Sequence, residues 1–550
     1  MLVFKRENMW EALPEEQKTE YKRMILAFAS LTEVFAQKAE NDEENVGYGP
    51  IINSKFQETI FQKAFQASSE DIGNTSYDAA ICLKLHDNKE IKYLIGIKTF
   101  GIGSGDQKIA QFKANHNEWA DIINKIESNS KSVENNKEQV DKINGELYKK
   151  LAIDIANLRN MRILSSESNL KGFSVKPTDD NVQAVYHVLM PSGKGEEPYI
   201  FVGETSYDKI NVDQIVVLGC TGPKNPTNFK FTDGNHEYKY TSADSQLSMN
   251  FRNKDIIKES WKVIYLDNPY EIFSDIADKI EGKKTESKLV DTIVKTIKEQ
   301  PKIEKTYSWL LTNKNNEVEL FSGFNNFYGV SSKLAKDDRP KRIIALKNKF
   351  RYLKNDLISE IILDLAKYLL TNAPSKKKKE QKAEFRNNIL AKLSKVKNQE
   401  FKDDALKLLF RTHQEMYIPI PDSRNFHKSN PKFFVNIGKD LFDDSGTLAV
   451  EEEDRSFDLI FEPSGEKIRA HITQDYGKGL ASKDCQAILG KWILQDIFQL
   501  KPYEPLTKKR LDEIGLNGLR LYKIKGDNSV HIQFIWIDSN NPPPDFINKQ

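Results

Sequence analysis

The chain has 550 residues, more than one hydrophobic core usually fills, so we expect two or three domains. Its 82 basic and 80 acidic residues give a net charge of +2, which excludes a polycation and confines any nucleic-acid site to a local basic patch. Three widely separated cysteines form no CxxC pair, which argues against a structural zinc site or a disulfide framework.

The same features predict a cytoplasmic protein. Cysteine usage favours a reducing compartment, and charges interrupt the apolar N-terminal residues, so we expect no signal peptide. No apolar run approaches the ~20 residues that a membrane-spanning helix needs. We therefore expect no contact with a membrane.

The first stretch with a clear pattern is helical. Pro14, Glu15 and Glu16 suit a helix start, and the pattern predicts a helix over residues 14–40. A second helix is predicted to start at Asn53 and Ser54, with apolar residues at helical spacing and Glu58 at the edge of the apolar face.

Residues 77–100 then predict a β-hairpin. The first strand opens at Asp78, the polar stretch 86–90 is rich in turn residues, and Ile91 to Thr99 alternates in character. Tyr93, Ile95 and Ile97 are expected on one face of that strand, with Leu94, Gly96 and Lys98 on the other.

The middle of the chain is more varied. The pattern predicts a flexible glycine-rich loop at 101–107, a helix from Lys108 to Ile126, and a solvated helix or loop at 128–145. Mostly strands are predicted over 183–266, as the remainder of the first domain, followed by a charged helix at 277–303.

Strands resume after residue 305, and a helical region at 343–412 is interrupted at 374–379. The run Lys376–Lys379 within it is expected to be a solvated linker with at most weak DNA contact. From Tyr417 onward we expect short strands and loops, with a helix at 486–498.

The hairpin carries the first candidate chemistry. A carboxylate and a lysine on adjacent strands suit metal-assisted hydrolysis, because the acid holds a divalent cation while the lysine positions a nucleophilic water and offsets phosphate charge. The structural alternative is a turn-capping Asp and a solvated Lys, since an Asp and a Lys at this spacing are common.

Asp78, the hairpin and Lys98 resemble the core of the PD-(D/E)XK nucleases, in which an Asp precedes an (Asp/Glu)-x-Lys strand. The order of helix, hairpin, glycine loop and helix is also similar. Gly96 departs from the pattern, because it stands where the second acid is expected. The resemblance implies Mg²⁺ held by Asp78 and a carboxylate from another element, for which Glu58 is preferred. Weaker candidates for that carboxylate are Glu70, Asp71 and Asp106.

The resemblance also implies that Gln111 positions water or phosphate near the lysine, which makes Glu58, Asp78, Lys98 and Gln111 the catalytic candidates. Other chemistries lack their motifs: there is no HExxH, no HxK and no histidine pair at metal-ligand spacing. The loop GIGSG at 101–105 is not followed by GK[ST], so it is not a Walker loop.

The C-terminal part contains several motifs in a fixed order. They are YIPIP at 417–421, FHKSNPKFF at 426–434, TQDYGKGL at 473–480 and AILGKW at 487–492. Together they resemble the recognition domain of NgoFVII-type restriction endonucleases, a pseudobarrel similar to the plant B-three transcription-factor domain. A closed barrel would remove edge strands and present rigid loops for DNA recognition.

In that fold two arms grip the major groove, which assigns DNA-binding roles by position. Asn and Gln suit adenine, Arg and Lys suit guanine, Asp can accept from cytosine, and Ser and Lys suit phosphates. The first arm would supply Asn325, Asn326, Ser331, Lys333, Lys336, Arg339 and Arg342. The second arm would supply Gln474, Asp475, Tyr476, Lys478, Ser482 and Lys483. Further backbone contacts would come from Arg424, His427 and Lys428.

The expected protein is therefore α+β and multidomain. A mixed-sheet PD-(D/E)XK-like nuclease domain would span 1–275, a helical linker 276–304, and a β-pseudobarrel DNA-recognition domain 305–545, with a helical insertion at 345–412.

The two resemblances imply a bacterial Type II restriction endonuclease, of a Type IIS-like kind, that hydrolyses double-stranded DNA with Mg²⁺. Because one active site cuts one strand, we expect a homodimer or sequential nicking. A cognate DNA methyltransferase is expected in the same system. Two alternatives stay open: a non-catalytic DNA-binding protein whose nuclease domain has lost its second acid, and a modification-dependent nuclease that recognises a methylated or flipped base. The aromatics Phe324, Phe327, Tyr328 and Tyr476 keep the latter open.

Overall fold

The computed structural model divides the chain into two units. The first comprises residues 1–171, 175–302 and 512–516, and the second comprises 172–174, 303–511 and 517–550. The division near residue 303 falls inside the range predicted as a linker. The residues that the structure describes are 8–32, 49–69, 77–84, 90–133, 136–174, 181–280, 303–319, 323–324, 337–353, 355–370, 376–410, 415–435, 450–473, 477–483 and 486–547.

Helices and strands both contribute to the first unit, so the predicted α+β class holds. Its helices are α1 (Met9–Ala12), α2 (Glu15–Ala29), α3 (Ser54–Phe65), α4 (His116–Lys131), α5 (Lys137–Lys171) and α6 (Tyr270–Ile280). Its strands are β1 (Ser68–Ser69), β2 (Ala79–Lys84), β3 (Glu90–Thr99), β4 (Asp106–Gln111), β5 (Val182–Pro191), β6 (Tyr199–Ser206), β7 (Val216–Cys220), β8 (Phe229–Thr232), β9 (Glu237–Thr241), β10 (Gln246–Asn250) and β11 (Ile257–Lys262).

The larger sheet of this unit has the strand order β1-β2-β3-β5-β6-β11. The predicted hairpin is confirmed: β2 and β3 pair antiparallel, with Ala79 opposite Ile95. Strand β3 also pairs with β5 in parallel, which places Lys98 opposite Val188. A parallel pair needs a long crossover, and the chain from β4 through α4 and α5 supplies it.

The predicted alternation of β3 is confirmed by the two cores on either side of the sheet. Tyr93, Ile95 and Ile97 join one core, to which α1, α2 and α3 contribute. Leu94 joins the other, which α4, α5 and the second sheet complete. Lys98 is two residues from Gly96 and four from Leu94, so all three share the second face.

The second sheet of this unit has the order β4-β10-β9-β8-β7 and accounts for much of the strand pattern predicted over 183–266. One prediction here is wrong: Lys108–Gln111 is the end of strand β4, and helix begins only at Lys113 with a short 3-10 turn. This stretch pairs with strand β10, and that long-range pairing overrides the local helical pattern.

Much of the polar stretch 128–145 is helical, because α4 runs to Lys131 and α5 starts at Lys137. The 35-residue helix α5 buries residues of both polar and apolar character, including Arg159 and Arg162.

The second unit contains one seven-stranded sheet in the order β12-β17-β18-β14-β15-β16-β13. Its strands are β12 (Ile303–Leu310), β13 (Ile418–Pro419), β14 (Ser456–Glu462), β15 (Glu466–Ile472), β16 (Gly479–Ser482), β17 (Gly518–Ile524) and β18 (Val530–Ile535). The expected closed barrel is not formed by the described strands, since β12 and β13 end the sheet without pairing to each other.

Helices of this unit fall into two groups. The four long ones, α7 (Asp338–Lys349), α8 (Asp356–Leu370), α9 (Lys376–Ser394) and α10 (Gln399–Leu409), build a separate hydrophobic core. The others are α11 (Ser423–Ser429) and α12 (Gln486–Gly490), which is continued by a π-helical turn at Lys491–Ile497. A last helix, α13 (Lys508–Ile514), begins in this unit and ends in the segment 512–516 of the first.

Helices do occupy the range predicted as a helical insertion, and the first of them begins earlier than expected, at Asp338. The run Lys376–Lys379 starts α9 and is not a linker. Within the described part of the chain, no helix has the length and apolar character to cross a bilayer.

Candidate active site and DNA-binding surface

Helix α3 carries Glu58 to the hairpin. Its start is fixed by Asn53, whose side chain accepts a hydrogen bond from the Phe56 amide at 3.0 Å, as a helix N-cap does. Phe61 and Phe65 are buried in the core beneath the sheet. Glu58 lies off this apolar face, and its side chain retains 19% exposure.

Asp78 is held in place by three hydrogen bonds. Its amide donates to the Ile95 carbonyl at 2.8 Å, and its carbonyl accepts from Nε2 of Gln62 at 3.2 Å. Its carboxylate Oδ2 accepts from the Ile97 amide at 2.7 Å, so the side chain extends the ladder at the open end of the hairpin. No described residue donates a hydrogen bond to the second carboxylate oxygen, Oδ1.

Charges around Asp78 act in opposite directions. Burial raises the pKa of the Asp78 carboxyl above its usual value, while the Lys98 ammonium and the Ile97 hydrogen bond oppose that rise. The Glu58 carboxylate raises the pKa of Asp78 further, and Lys55 lowers it. Glu58 and Lys98 therefore both lie within electrostatic reach of Asp78.

Gly96, which stands where the second acid of the nuclease pattern is expected, brings no charge to this position. Extending the register by one residue places Gly96 opposite Asp78, and Gly96 is buried. Lys98 follows two residues later on the same face, where it is half-buried. The strand therefore presents a lysine beside Asp78, and a second carboxylate must come from another element.

Glu58 meets that requirement only in part. Its Oε2 pairs with Nζ of Lys55 at 2.7 Å, whereas none of the described residues is hydrogen-bonded to Oε1. Glu58 Oε1 and Asp78 Oδ1 are hard oxygen donors, and Mg²⁺ is commonly held by one or two carboxylates while it keeps several waters. Among the described residues, no cluster of three or more acidic, His or Cys side chains is suited to hold a metal.

Gln111 lies away from these contacts. It ends strand β4 of the second sheet, where its Nε2 donates to the Asp244 carbonyl at 3.2 Å and its Oε1 accepts from Lys108 at 3.0 Å. Among the described contacts none joins Gln111 to Asp78 or Lys98. Asp106, a weaker acid candidate, pairs with Lys230 at 3.3 Å. Glu70 and Asp71 lie outside the described residues.

Sequence reasoning missed two residues that shape the site. Gln62 holds the Asp78 carbonyl, and Asn253 donates to the carbonyls of Ile102 and Ser104 at 2.8 and 2.7 Å, which anchors the glycine-rich loop after β3. Gln62 had a local signal, since it follows Glu58 by one helical turn. Asn253 had none, because about 150 residues separate it from the loop.

In the second unit, helix α11 presents part of the expected basic surface. Arg424 and Lys428 are both exposed and lie one turn apart on the same face. His427 does not join them: it is only 2% exposed, its Nε2 bonds the Gly477 carbonyl at 2.9 Å, and burial lowers its pKa. The His427 ring is therefore packed in the core, and the DNA-backbone role predicted for it stays a prediction.

The predicted second arm begins as a hairpin between β15 and β16. The Thr473 amide donates to the Gly479 carbonyl at 2.8 Å, and the Gly479 amide donates to Thr473 Oγ1 at 3.0 Å. Lys478 is exposed at its end, and the exposed Lys483 pairs with Glu453. Ser482 is 5% exposed on β16, and the DNA-binding role predicted for it stays a prediction. Gln474, Asp475 and Tyr476 lie outside the described residues.

Most of the predicted first arm is likewise outside the described residues, namely Asn325, Asn326, Ser331, Lys333 and Lys336. Arg339 and Arg342 lie on helix α7, where Arg339 donates to the Leu369 carbonyl at 3.2 Å and Arg342 is exposed. Both therefore lie on the first of the four long helices of this unit, and their predicted DNA contacts stay a prediction. Phe324, one of the aromatics considered for base flipping, is 2% exposed and packs on Phe498. Phe327 and Tyr328 are not among the described residues.

Comparisons with known proteins add no assignment. No family model matches the chain, and no curated protein matches it either.

Proposed function

We propose that the protein is a Mg²⁺-dependent, site-specific DNA endonuclease of the Type II class, with Type IIS-like separation of cutting and recognition. The first unit would cut the phosphodiester, and the second would recognise a short sequence. One observation carries the proposal: the Ile97 amide holds the Asp78 carboxylate at the open end of the hairpin, where the charges of Glu58 and Lys98, from two other segments, both act on it.

The chemistry follows from the groups at that position. Mg²⁺, if held by Asp78 and Glu58, would supply charge neutralisation at the scissile phosphate. Lys98 offers a fixed positive charge, half-buried beside Asp78, that stabilises the extra negative charge of the pentacoordinate phosphate. The Ile97 amide fixes the Asp78 carboxylate through Oδ2, and no described residue donates a hydrogen bond to its Oδ1.

The second unit supports DNA binding through its exposed basic side chains. Arg424 and Lys428 on α11 lie on the same helix as His427, which bonds the carbonyl of Gly477 next to exposed Lys478. Helix α11 and the β15–β16 hairpin are thus joined, and their cations suit phosphate contacts that fix the protein on the duplex. In this proposal a homodimer, or two successive nicks, breaks both strands, and a cognate methyltransferase protects host DNA.

One observation favours a second candidate, a DNA-binding protein without nuclease activity. Glu58 is already paired with Lys55, Asp78 is already bonded by the Ile97 amide, and Gly96 has no charge. A degenerate nuclease domain would retain these contacts as structural ones.

Cleavage of supercoiled plasmid and phage DNA separates the two candidates. We expect wild-type protein to cut with Mg²⁺ and not with EDTA, and Lys98→Ala to bind DNA without cutting it. Run-off sequencing of the products would give both the recognition site and the cut position. Binding without cleavage by wild-type protein, across DNA that contains many sequences, would support the second candidate.

A further inference from the structure

Two glutamines tie helix α3 to both strands of the hairpin. Gln62 donates through Nε2 to the Asp78 carbonyl at 3.2 Å, at the start of β2. Gln57 accepts through Oε1 from the Thr99 hydroxyl, at the end of β3. Gln57 is fully buried, so its side-chain amide makes this hydrogen bond inside the unit, away from solvent.

The spacing of these residues relates the ties to the candidate active site. Glu58 and Gln62 are four residues apart, so they lie on one face of α3. Gln57 precedes Glu58 directly, and Thr99 follows Lys98 directly. The first tie joins Gln62, one helical turn after Glu58, to Asp78 itself. The second joins Gln57, next to Glu58, to Thr99, next to Lys98.

The first tie uses a backbone group of Asp78 that the strand pairing does not use. The Asp78 amide donates to the Ile95 carbonyl and its Oδ2 accepts from the Ile97 amide, whereas its carbonyl accepts from Gln62 on the helix. Thr99 lies on the face of β3 opposite to Lys98, towards the core that contains α3. A hydrogen bond there sets the distance between the helix and the strand end that carries Lys98.

We propose that Gln62 and the Gln57–Thr99 pair are positioning residues, which hold the Glu58 carboxylate at the spacing from Asp78 that a divalent cation needs. This inference rests on the proposed function. Side chains that orient metal-ligating groups typically change metal affinity or activity about 10- to 100-fold when they are removed. Neither glutamine touches the metal or the DNA in this account.

The test uses the full chain and measures Mn²⁺ binding by electron paramagnetic resonance, alongside the Mg²⁺ concentration that gives half-maximal cleavage. Gln62→Leu and Thr99→Val each remove one tie, and Thr99→Ser keeps the hydroxyl donor. Gln139→Leu is the matched control, because Gln139 is an exposed glutamine on α5. Circular dichroism and thermal unfolding identify any variant that does not fold.

We expect Gln62→Leu and Thr99→Val to weaken Mn²⁺ binding and raise the half-maximal Mg²⁺ concentration about tenfold or more, with DNA affinity unchanged. Thr99→Ser and Gln139→Leu should match wild type. If folded Gln62→Leu and Thr99→Val bind Mn²⁺ as tightly as wild type while wild type cleaves DNA, the positioning role is overturned and the proposed function survives. If wild type itself neither binds Mn²⁺ nor cleaves, the proposed function fails and the positioning role fails with it.

Discussion

Replacing Asp78 in two ways separates its charge from its hydrogen bond. In Asp78→Asn the amide oxygen can still accept from the Ile97 amide, which the carboxylate does at 2.7 Å in the native protein. In Asp78→Ala that amide loses its partner. The two variants therefore differ in whether the ladder at the open end of the hairpin is completed, while both lack the negative charge.

The magnitudes follow from these contacts. Leaving a buried amide without a partner costs about 1–3 kcal/mol, so Asp78→Ala should unfold at a lower temperature. The shift is roughly 2–4 °C per kcal/mol in domains of about 150–250 residues, and it should be at the lower end of that range or below it in this larger unit. Asp78→Asn should stay within about 1 kcal/mol of wild type, because it keeps the bond and removes a charge whose burial is unfavourable.

Activity should behave differently from stability. A lost metal ligand removes several kcal/mol of charge stabilisation, and each ~1.4 kcal/mol is tenfold in rate, so both variants should cleave at least ~100-fold more slowly. Plasmid cleavage at fixed Mg²⁺ and differential scanning calorimetry measure the two effects. If Asp78→Asn cuts at the wild-type rate, Asp78 is only a cap on the strand, and the reasoning is refuted.

Three further predictions concern other groups. Glu58→Ala should raise the Mg²⁺ concentration for half-maximal cleavage about tenfold or more. The free energy of unfolding should change by less than ~1 kcal/mol, because the ion pair of Glu58 with the exposed Lys55 contributes little. Unchanged cleavage would exclude Glu58 as a ligand. Burial lowers the pKa of His531, yet the hydrogen bonds and charges of Glu462 and Asp527 outweigh burial and raise that pKa. The stabilisation by His531 should therefore be complete below its unfolded pKa of about 6.5 and disappear as pH rises through the higher folded pKa. In urea denaturation, the free energy of unfolding of His531→Gln should be lower than that of wild type at acidic pH and approach it at alkaline pH. A loss of stability in His531→Gln that does not vary with pH would contradict this. Lys428→Ala should weaken DNA binding equally for all sequences and reduce the slope of log affinity against log salt by about 1, as measured by fluorescence anisotropy; a sequence-dependent loss would show that Lys428 contacts bases.

The hairpin could be predicted from sequence because its signals are local. Alternation from Ile91 to Thr99 gave both the strand and its two faces, and the core residues on each side agree with it. The same local pattern placed Lys98 on the face of Gly96. The closeness of Glu58 to Asp78 was also accessible, since α3 directly precedes the hairpin.

Long-range pairing explains what could not be predicted. Gln107–Gln111 has helix-compatible composition, yet pairing with β10 from residues 246–250 makes it a strand and takes Gln111 to the second sheet. His427 has the polar character of a DNA contact, but its burial depends on Gly477, fifty residues later in the chain. No periodicity within α11 distinguishes a buried imidazole from an exposed one.

Cleavage by the Lys98→Ala protein tests the central claim most directly. Supercoiled DNA containing the recognition site would be incubated with Mg²⁺ and either wild-type protein or Lys98→Ala, after both are shown to bind the DNA with equal affinity. The account predicts a Mg²⁺-dependent cut at a fixed position by wild type and no cut by Lys98→Ala. Equal cutting by both proteins, or none by wild type, would contradict it.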